Sequence, residues 1–260
     1  MMEIDDFIIK IIKEAGDVLL KNYRGSYAKT IKHGDFQDIV TAVDLEINKF
    51  LTKEINKNFP KQDVYSEESD NPVKNGEDLW VLDPIDGTAN FSRRIPHFAI
   101  SVGLLKNGYP VTGAVYNPVS RELFSFRKGE GAFLNGQKMA VSSVSELSQA
   151  GVFMTTGKNP ASRDWGVGVY RNLLDKVNKT RVFSSSALDL CFLADGRIEG
   201  VIYGGLTTMD IAAAVGILME AGGKITDQEG KPAEISAVPQ RIIASNGTPI
   251  HELLLKEIVA

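Results

Sequence analysis

The stretch Val81–Thr88, VLDPIDGT, ends an apolar run on two aspartates, Asp83 and Asp86, which bracket Pro84 and Ile85. Asp, Pro and Gly are ordinary turn formers, so this segment alone predicts a tight turn after a strand. Further acids recur at similar junctions. Glu67 and Glu68 follow VYS, Asp44 follows VTAV, and Asp210 opens an apolar helical run. In a sheet protein, strand C-terminal ends and helix N-termini commonly converge on one cleft. Carboxylates gathered there repel one another, and divalent cations relieve the repulsion. The three histidines (His33, His97, His251) are scattered and Cys191 is the one cysteine. A donor set of hard oxygens points away from zinc or copper and toward Mg²⁺, with Mn²⁺ or Ca²⁺ as competitors. Mg²⁺ often binds through a few carboxylates together with substrate phosphate, which suits phosphoryl chemistry. Gly87 and Thr88 supply the other half: a helix starting just after Asp86 would aim free N–H groups at an anion beside the cations. Pro84 fixes a backbone torsion, so Asp83 and Asp86 can turn toward one point with the Ile85 carbonyl exposed between them.

Regular elements must carry these acids to one place. Ile4, Phe7, Ile8, Ile11, Ile12, Ala15, Val18 and Leu19 recur in three- and four-residue steps and predict an amphipathic helix over the first 23 residues. A second helix follows Thr41 as N-cap, with Ile47, Leu51 and Ile55 on one face and Pro60 beyond its end, which puts Asp44 in its first turn. Lys32 and His33 fall in the polar stretch before it, expected to be a solvated loop. DVYS and LWVLD read as strands, and the runs from Phe98 to Lys138 as an antiparallel meander turned at Asn107-Gly108 and Asn135-Gly136. The second half alternates helices (RDWGVGVYRNLLDKVN, ALDLCFLADG, MDIAAAVGILMEAGG, PIHELLLKEIV) with strands (RVF, RIEGVIYG, KITD, RIIASN). The pattern changes near residue 145. An N-terminal α+β half (1–145) holding most candidate ligands is therefore expected to pack against a C-terminal half (146–260) holding Asp210, as one unit.

Composition narrows the function classes. The chain has 260 residues, 43% hydrophobic and 24% charged, enough for a substantial core. A net charge of −4 gives no electrostatic footprint for nucleic acid or an anionic membrane. A single cysteine, an acidic start (MMEIDDF) and no apolar run of membrane-spanning length predict a soluble cytoplasmic protein.

The motifs DIVTAVD (38–44), SEES (66–69), WVLDPIDGTANF (80–91), GEGAFLNGQK (129–138) and MDIAAAVGILMEAGGKITD (209–227) together resemble the inositol monophosphatase family of Mg²⁺-dependent, lithium-sensitive phosphatases, over nearly the whole chain. The resemblance implies an α+β fold, a layered αβαβα sandwich shared with fructose-1,6-bisphosphatases. It implies that Glu67, Asp83 and the Ile85 carbonyl hold a first metal, that Asp83, Asp86 and Asp210 hold a second, and that Glu67 reaches a third, weaker one. Mn²⁺ would substitute, and Ca²⁺ and Li⁺ would inhibit. Gly87 and Thr88 would bind phosphate through backbone N–H groups, while Thr88 and Asp44 would orient and help deprotonate the attacking water. Asp86, Asp210, Ser186 (in SSSALD, 184–189) and Tyr203 would lie on the substrate side. The implied activity is hydrolysis of a small phosphorylated polyol or sugar, inositol 1-phosphate first, by a homodimer.

The substrate half departs from that pattern. Met209 stands where the family typically has Trp, and Tyr203 where it often has a glutamate that binds inositol hydroxyls. Fructose 1,6-bisphosphate, alone or with inositol phosphate, then remains an alternative substrate, followed by 3′-phosphoadenosine 5′-phosphate and histidinol phosphate. A catalytically silent protein that binds metal or sugar phosphate and acts as a regulator is the alternative from another class.

Overall fold

Helix α1 (Ile4–Tyr23) has Asp5 and Asp6 in its first turn and Lys21 in its last, which complements the helix dipole. One face, Phe7, Ile8, Ile11, Ile12, Ala15, Gly16, Leu19 and Tyr23, is buried, as its three- and four-residue spacing dictates. Helix α2 (Ala42–Asn58) is capped by Thr41 and buries Val43, Ile47, Leu51 and Ile55. The structure, a computed structural model, describes residues 3–25, 29–31, 39–66, 68, 78–157, 159–209, 211–235 and 238–259. Glu67, Asp210, Lys32 and His33 lie outside the described residues.

Both helices cover one face of a seven-stranded sheet in the order β3-β4-β5-β6-β7-β8-β9. Its strands are β3 (Asp63–Ser66), β4 (Asp78–Asp86), β5 (Ala99–Lys106), β6 (Tyr109–Asn117), β7 (Glu122–Arg127), β8 (Gly131–Leu134) and β9 (Gln137–Met139). Strand β3 runs parallel to β4, and the rest form an antiparallel meander. Asn107-Gly108 and Asn135-Gly136 turn two of its hairpins with positive φ at all four residues (51°, 80°, 50° and 81°), the backbone that Asn-Gly tolerates best. Trp80, Leu82, Phe98, Ile100 and Val102 meet Phe7, Ile11, Ile47 and Leu51 in the core beneath α1 and α2.

The other face carries α5 (Ser186–Ala194) and α6 (Ala212–Glu220), both buried almost all round because a second sheet lies across them. That sheet has five strands in the order β11-β10-β12-β14-β13: β10 (Gly151–Thr155), β11 (Lys179–Arg181), β12 (Gly200–Thr207), β13 (Lys224–Asp227) and β14 (Pro239–Ser245). Period-two alternation splits β12: Val201 and Tyr203 point toward α5 and α6, Ile202 toward the opposite side. There α4 (Pro160–Leu173) and α7 (Ile250–Val259) close the molecule over Val152, Met154, Ile202 and Ile243. The layers are therefore helix, sheet, helix, sheet, helix, in the expected αβαβα order.

Three local features differ from expectation. Strand β4 continues through Asp86, with a register shift against β5 between Asp83 and Asp86, where a simple turn was expected. A small two-stranded sheet, β1 (Lys29–Ile31) with β2 (Ile39–Thr41), leads into α2. Helix α4 starts at Pro160 under an Asn159 cap, three residues earlier than its apolar periodicity shows. Pro at the first helical position has no N–H left to satisfy, and Asn is a favoured cap.

Candidate active site

The site grows from the end of β4. Trp80, Val81 and Leu82 are buried because helices cover both faces of the sheet. The irregular pairing after them kinks the strand: Asp83 Oδ1 accepts the Ile85 N–H at 3.0 Å, and Pro84 has no N–H to place. Thr88 Oγ1 stands 2.9 Å from the Ile85 carbonyl oxygen. Gly87, at φ 89°, then caps the short helix α3 (Thr88–Arg93). A Cβ at Gly87 would sit 3.1 Å from the His97 carbonyl and 3.3 Å from that of Ser184, so space and torsion both require glycine.

Asp44 comes to the same place from α2. It is the third residue of the helix and completes a capping box with Thr41, accepting the Thr41 N–H at 2.8 Å and the Thr41 hydroxyl on Oδ2. Its other oxygen, Oδ1, lies 3.0 Å from Thr88 Oγ1. Thr88 thus stands between the Asp44 carboxylate and the Ile85 carbonyl. Burial is the largest influence on Asp44 and pushes its carboxyl up to about 6, against the pull of the Thr41 hydrogen bonds, with Glu68 adding to the rise.

Asp86 is gripped by the C-terminal half. Its Oδ1 accepts the Ser186 N–H at 3.0 Å, and Oδ2 accepts the Ala187 N–H at 2.9 Å and the Ser185 hydroxyl. The first turn of α5 therefore donates to a carboxylate, as helix N-termini favour. Burial still raises the Asp86 carboxyl above the usual carboxylate range.

Below that turn lies a polar group that sequence reasoning did not assemble. Tyr203 is fully buried, and its hydroxyl donates to the Ser186 carbonyl at 3.0 Å. Asp189, also fully buried, meets His97 Nε2 at 3.1 Å and lies 3.5 Å from the Tyr203 hydroxyl. Burial pushes Asp189 up to about 6, with the His97 contact pulling it back. Asn90 ties the same region together, donating to the carbonyls of His97 and Phe183 at 2.8 and 2.6 Å. The sequence did hold one signal: Asp189 is the only acid inside the apolar helix ALDLCFLA, where an unpaired charge would be costly.

Of the residues expected at the site, Asp44, Asp83, Ile85, Asp86, Gly87, Thr88 and Ser186 are linked through these short contacts, and Tyr203 joins through Ser186. Asp44, Asp83 and Asp86 are all buried. Glu67 and Asp210 lie outside the described residues. Chemically, the arrangement offers desolvated carboxylates and a carbonyl as hard oxygen donors, beside a hydroxyl aimed at a carboxylate.

Known proteins are similar to this chain in sequence and in fold. A model of the inositol monophosphatase family matches residues 1–260. The fructose-1,6-bisphosphatase/inositol-1-monophosphatase of Thermotoga maritima is 32% identical over 253 residues, covering 97% of this chain and 94% of its own. The extragenic suppressor protein suhB from Bartonella henselae superposes with a TM-score of 0.90 at 30% identity, covering 97% of each chain. An IMPase/NADP phosphatase complexed with Mg²⁺ and phosphate superposes with a TM-score of 0.86 at 27% identity, covering 98% of this chain and 94% of the other. Matched along its whole length in sequence, and in every layer of its fold, the chain belongs to the inositol monophosphatase family, phosphatases that hydrolyse phosphate monoesters.

Proposed function

We propose that this phosphatase uses Mg²⁺ to hydrolyse a small phosphorylated polyol or sugar, with inositol 1-phosphate as the first substrate to test. The observation that carries this reading is Thr88 Oγ1, held 3.0 Å from Asp44 Oδ1 and 2.9 Å from the Ile85 carbonyl, beside buried Asp83 and Asp86. The donors suit a hard divalent cation: they are all oxygens, and burial disfavours the ionised form of Asp86 unless a positive charge joins it. Asp83, the Ile85 carbonyl and Glu67 are proposed to hold one ion, and Asp83, Asp86 and Asp210 a second, with Glu67 reaching a third. Such ions supply Lewis acidity, lowering the pKa of a water and offsetting charge on the leaving oxygen.

The chain's own residues do the rest. Thr88 Oγ1 accepts a proton from the attacking water as it passes its own to Asp44 Oδ1, so no net charge builds on the hydroxyl. An Asp44 carboxyl near 6 is matched to a proton acceptor working near neutrality. Gly87 and Thr88 offer backbone N–H groups to the phosphate, and Gly87 supplies the positive φ with which the chain enters α3. Ser186 and, through it, Tyr203 are proposed to shape the substrate side together with Asp86, and Asp210 is proposed as a further substrate-side residue.

Fructose 1,6-bisphosphate is the second substrate to consider, because the Thermotoga relative's name pairs that activity with inositol phosphate hydrolysis. Among the described residues no helix is long and apolar enough to cross a membrane. A cytoplasmic homodimer that does not act on nucleic acid completes the proposal, and light scattering on the purified protein checks the dimer.

The test is phosphate release from inositol 1-phosphate, fructose 1,6-bisphosphate, 3′-phosphoadenosine 5′-phosphate and histidinol phosphate, with Mg²⁺, Mn²⁺ or Ca²⁺, and with added Li⁺. Turnover with Mg²⁺ or Mn²⁺, suppressed by Ca²⁺ and Li⁺ and fastest on inositol 1-phosphate, is expected. Equal rates on the fructose ester would establish the dual activity. No turnover on any ester would turn the reading to a silent, regulatory protein.

A further inference from the structure

We propose that Thr41 is a positioning residue for the reaction, holding Asp44 through a helix cap that doubles as its orienting clamp. This deepens the hydrolytic reading above and rests on it. In an ordinary capping box the N-cap hydroxyl accepts from a first-turn N–H while the third residue's side chain reaches back to the N-cap N–H. Here the third residue is the functional acid itself. Thr41 Oγ1 accepts from the Val43 and Asp44 N–H groups at 3.2 and 3.4 Å, and uses its one proton on Asp44 Oδ2. The Thr41 N–H donates to the same oxygen at 2.8 Å.

The consequence is a division of labour between the two oxygens of Asp44. Oδ2 receives two donors from one residue, which fixes the carboxylate's rotation. Oδ1 is thereby left facing Thr88 Oγ1 at 3.0 Å. Thr41 is almost fully buried, so solvent does not stand in for its hydroxyl. Valine at this position keeps the shape and the backbone N–H but loses the hydroxyl, leaving Oδ2 one donor and the carboxylate free to turn. Serine keeps both donors. Asparagine keeps a good capping oxygen, but its NH₂ donor is carried one bond further from the backbone than the threonine hydroxyl and would hold Oδ2 in a different place.

The experiment compares wild type with Thr41→Val, Thr41→Asn and Thr41→Ser, measuring kcat, KM and Tm, and solving the crystal structure of the Val variant. For Thr41→Val, kcat is expected to fall about tenfold or more with KM nearly unchanged, because Asp44 acts on the reacting groups and contributes little to binding. Its crystal structure should show Asp44 Oδ1 moved away from Thr88 Oγ1. Serine should restore turnover to within about twofold of wild type. Asparagine should restore Tm without restoring kcat, a split that a purely structural cap would not produce. Turnover that follows Tm across the three variants, or an Asp44 that keeps its contact with Thr88 in the Val variant, would overturn the assignment. Should the Val variant not fold, the Asn variant carries both measurements. A wild type with no phosphatase activity would sink the functional reading, and the position of Asp44 in the variant crystal would then decide the positioning claim by itself.

Discussion

Asp83 is proposed to touch both principal ions, which makes it the most informative single side chain. Its Oδ1 already accepts the Ile85 N–H at 3.0 Å, and asparagine can keep that bond through its carbonyl oxygen. Asp83→Asn should therefore fold normally while Mg²⁺-dependent phosphate release falls about a hundredfold or more. Circular dichroism and a phosphate assay on the same sample check both halves. His251 tests a different property, stability. A chain of donors defines its neutral form: Gly247 N–H to Ser245 Oγ, Ser245 to Nδ1, Nε2–H to Thr226, and Thr226 to the Asp227 carbonyl. Burial lowers this histidine from 6.5 to about 4. The unfolded chain then binds a proton that the folded chain refuses, so stability is intact above about pH 6.5 and falls as the pH drops toward 4. The loss from this residue should reach up to ~3 kcal/mol, and His251→Gln should flatten that part of a urea-midpoint profile. The residues at the site were legible unevenly. Asp83, Asp86, Gly87 and Thr88 sit in one short segment, the end of β4 and the start of α3, whose composition announces it. His97 and Asp189 are 92 residues apart and meet only in the folded chain. Tyr203, fully buried with its hydroxyl on the Ser186 carbonyl, gave no sequence sign of that bond.

At the level of elements, α6 shows how closely helix and sheet must approach. Gly103 and Gly113 of the seven-stranded sheet face Ala213: a Cβ on Gly113 would lie 2.8 Å from the Val102 carbonyl oxygen and 3.1 Å from the Ala213 Cβ. On the helix itself, a Cβ at Gly216 would lie 2.1 Å from the Phe126 ring. Gly216→Ala gains intrinsic helix propensity of about 1 kcal/mol, yet overpacking against Phe126 costs about 1–3 kcal/mol. The clash is expected to win, lowering Tm, and a Phe126→Leu background should recover part of the loss. Periodicity revealed α1 and α2 because one apolar stripe faces one sheet. Helices α5 and α6 carry no such stripe: almost no polar residue interrupts them, and the structure buries both nearly all round. Periodicity did not reveal β1 and β2, three residues each, which are too short to show alternation. The start of α4 is written in Asn159-Pro160, a cap and a first-turn proline that precede its apolar spacing.

For the whole molecule, the two halves share their core. Ala99, Val115, Phe124 and Phe126 from the first sheet pack with Leu188, Ile211, Val215 and Ile217 from the second half. Asp86 of the first half depends for its donors on Ser185, Ser186 and Ala187 of the second. Separate fragments cut near residue 145 would expose this layer, so neither is expected to fold alone. Calorimetry of the intact chain should show one cooperative transition, and two resolved transitions would mean that the halves are energetically independent. The layer order itself was not readable from periodicity, which tells a helix that it is buried but not between which sheets. It followed from the family resemblance, and the strand orders of the two sheets supply the physical account.

The central claim is that buried oxygens at the end of β4 hold divalent cations, and it is open to a direct measurement. Crystals soaked in Mn²⁺ and measured for anomalous scattering should show peaks about 2.1–2.3 Å from the carboxylates of Asp83 and Asp86 and from the Ile85 carbonyl. A well-ordered crystal with Mn²⁺ bound elsewhere, or with no peak beside Asp83, would contradict it.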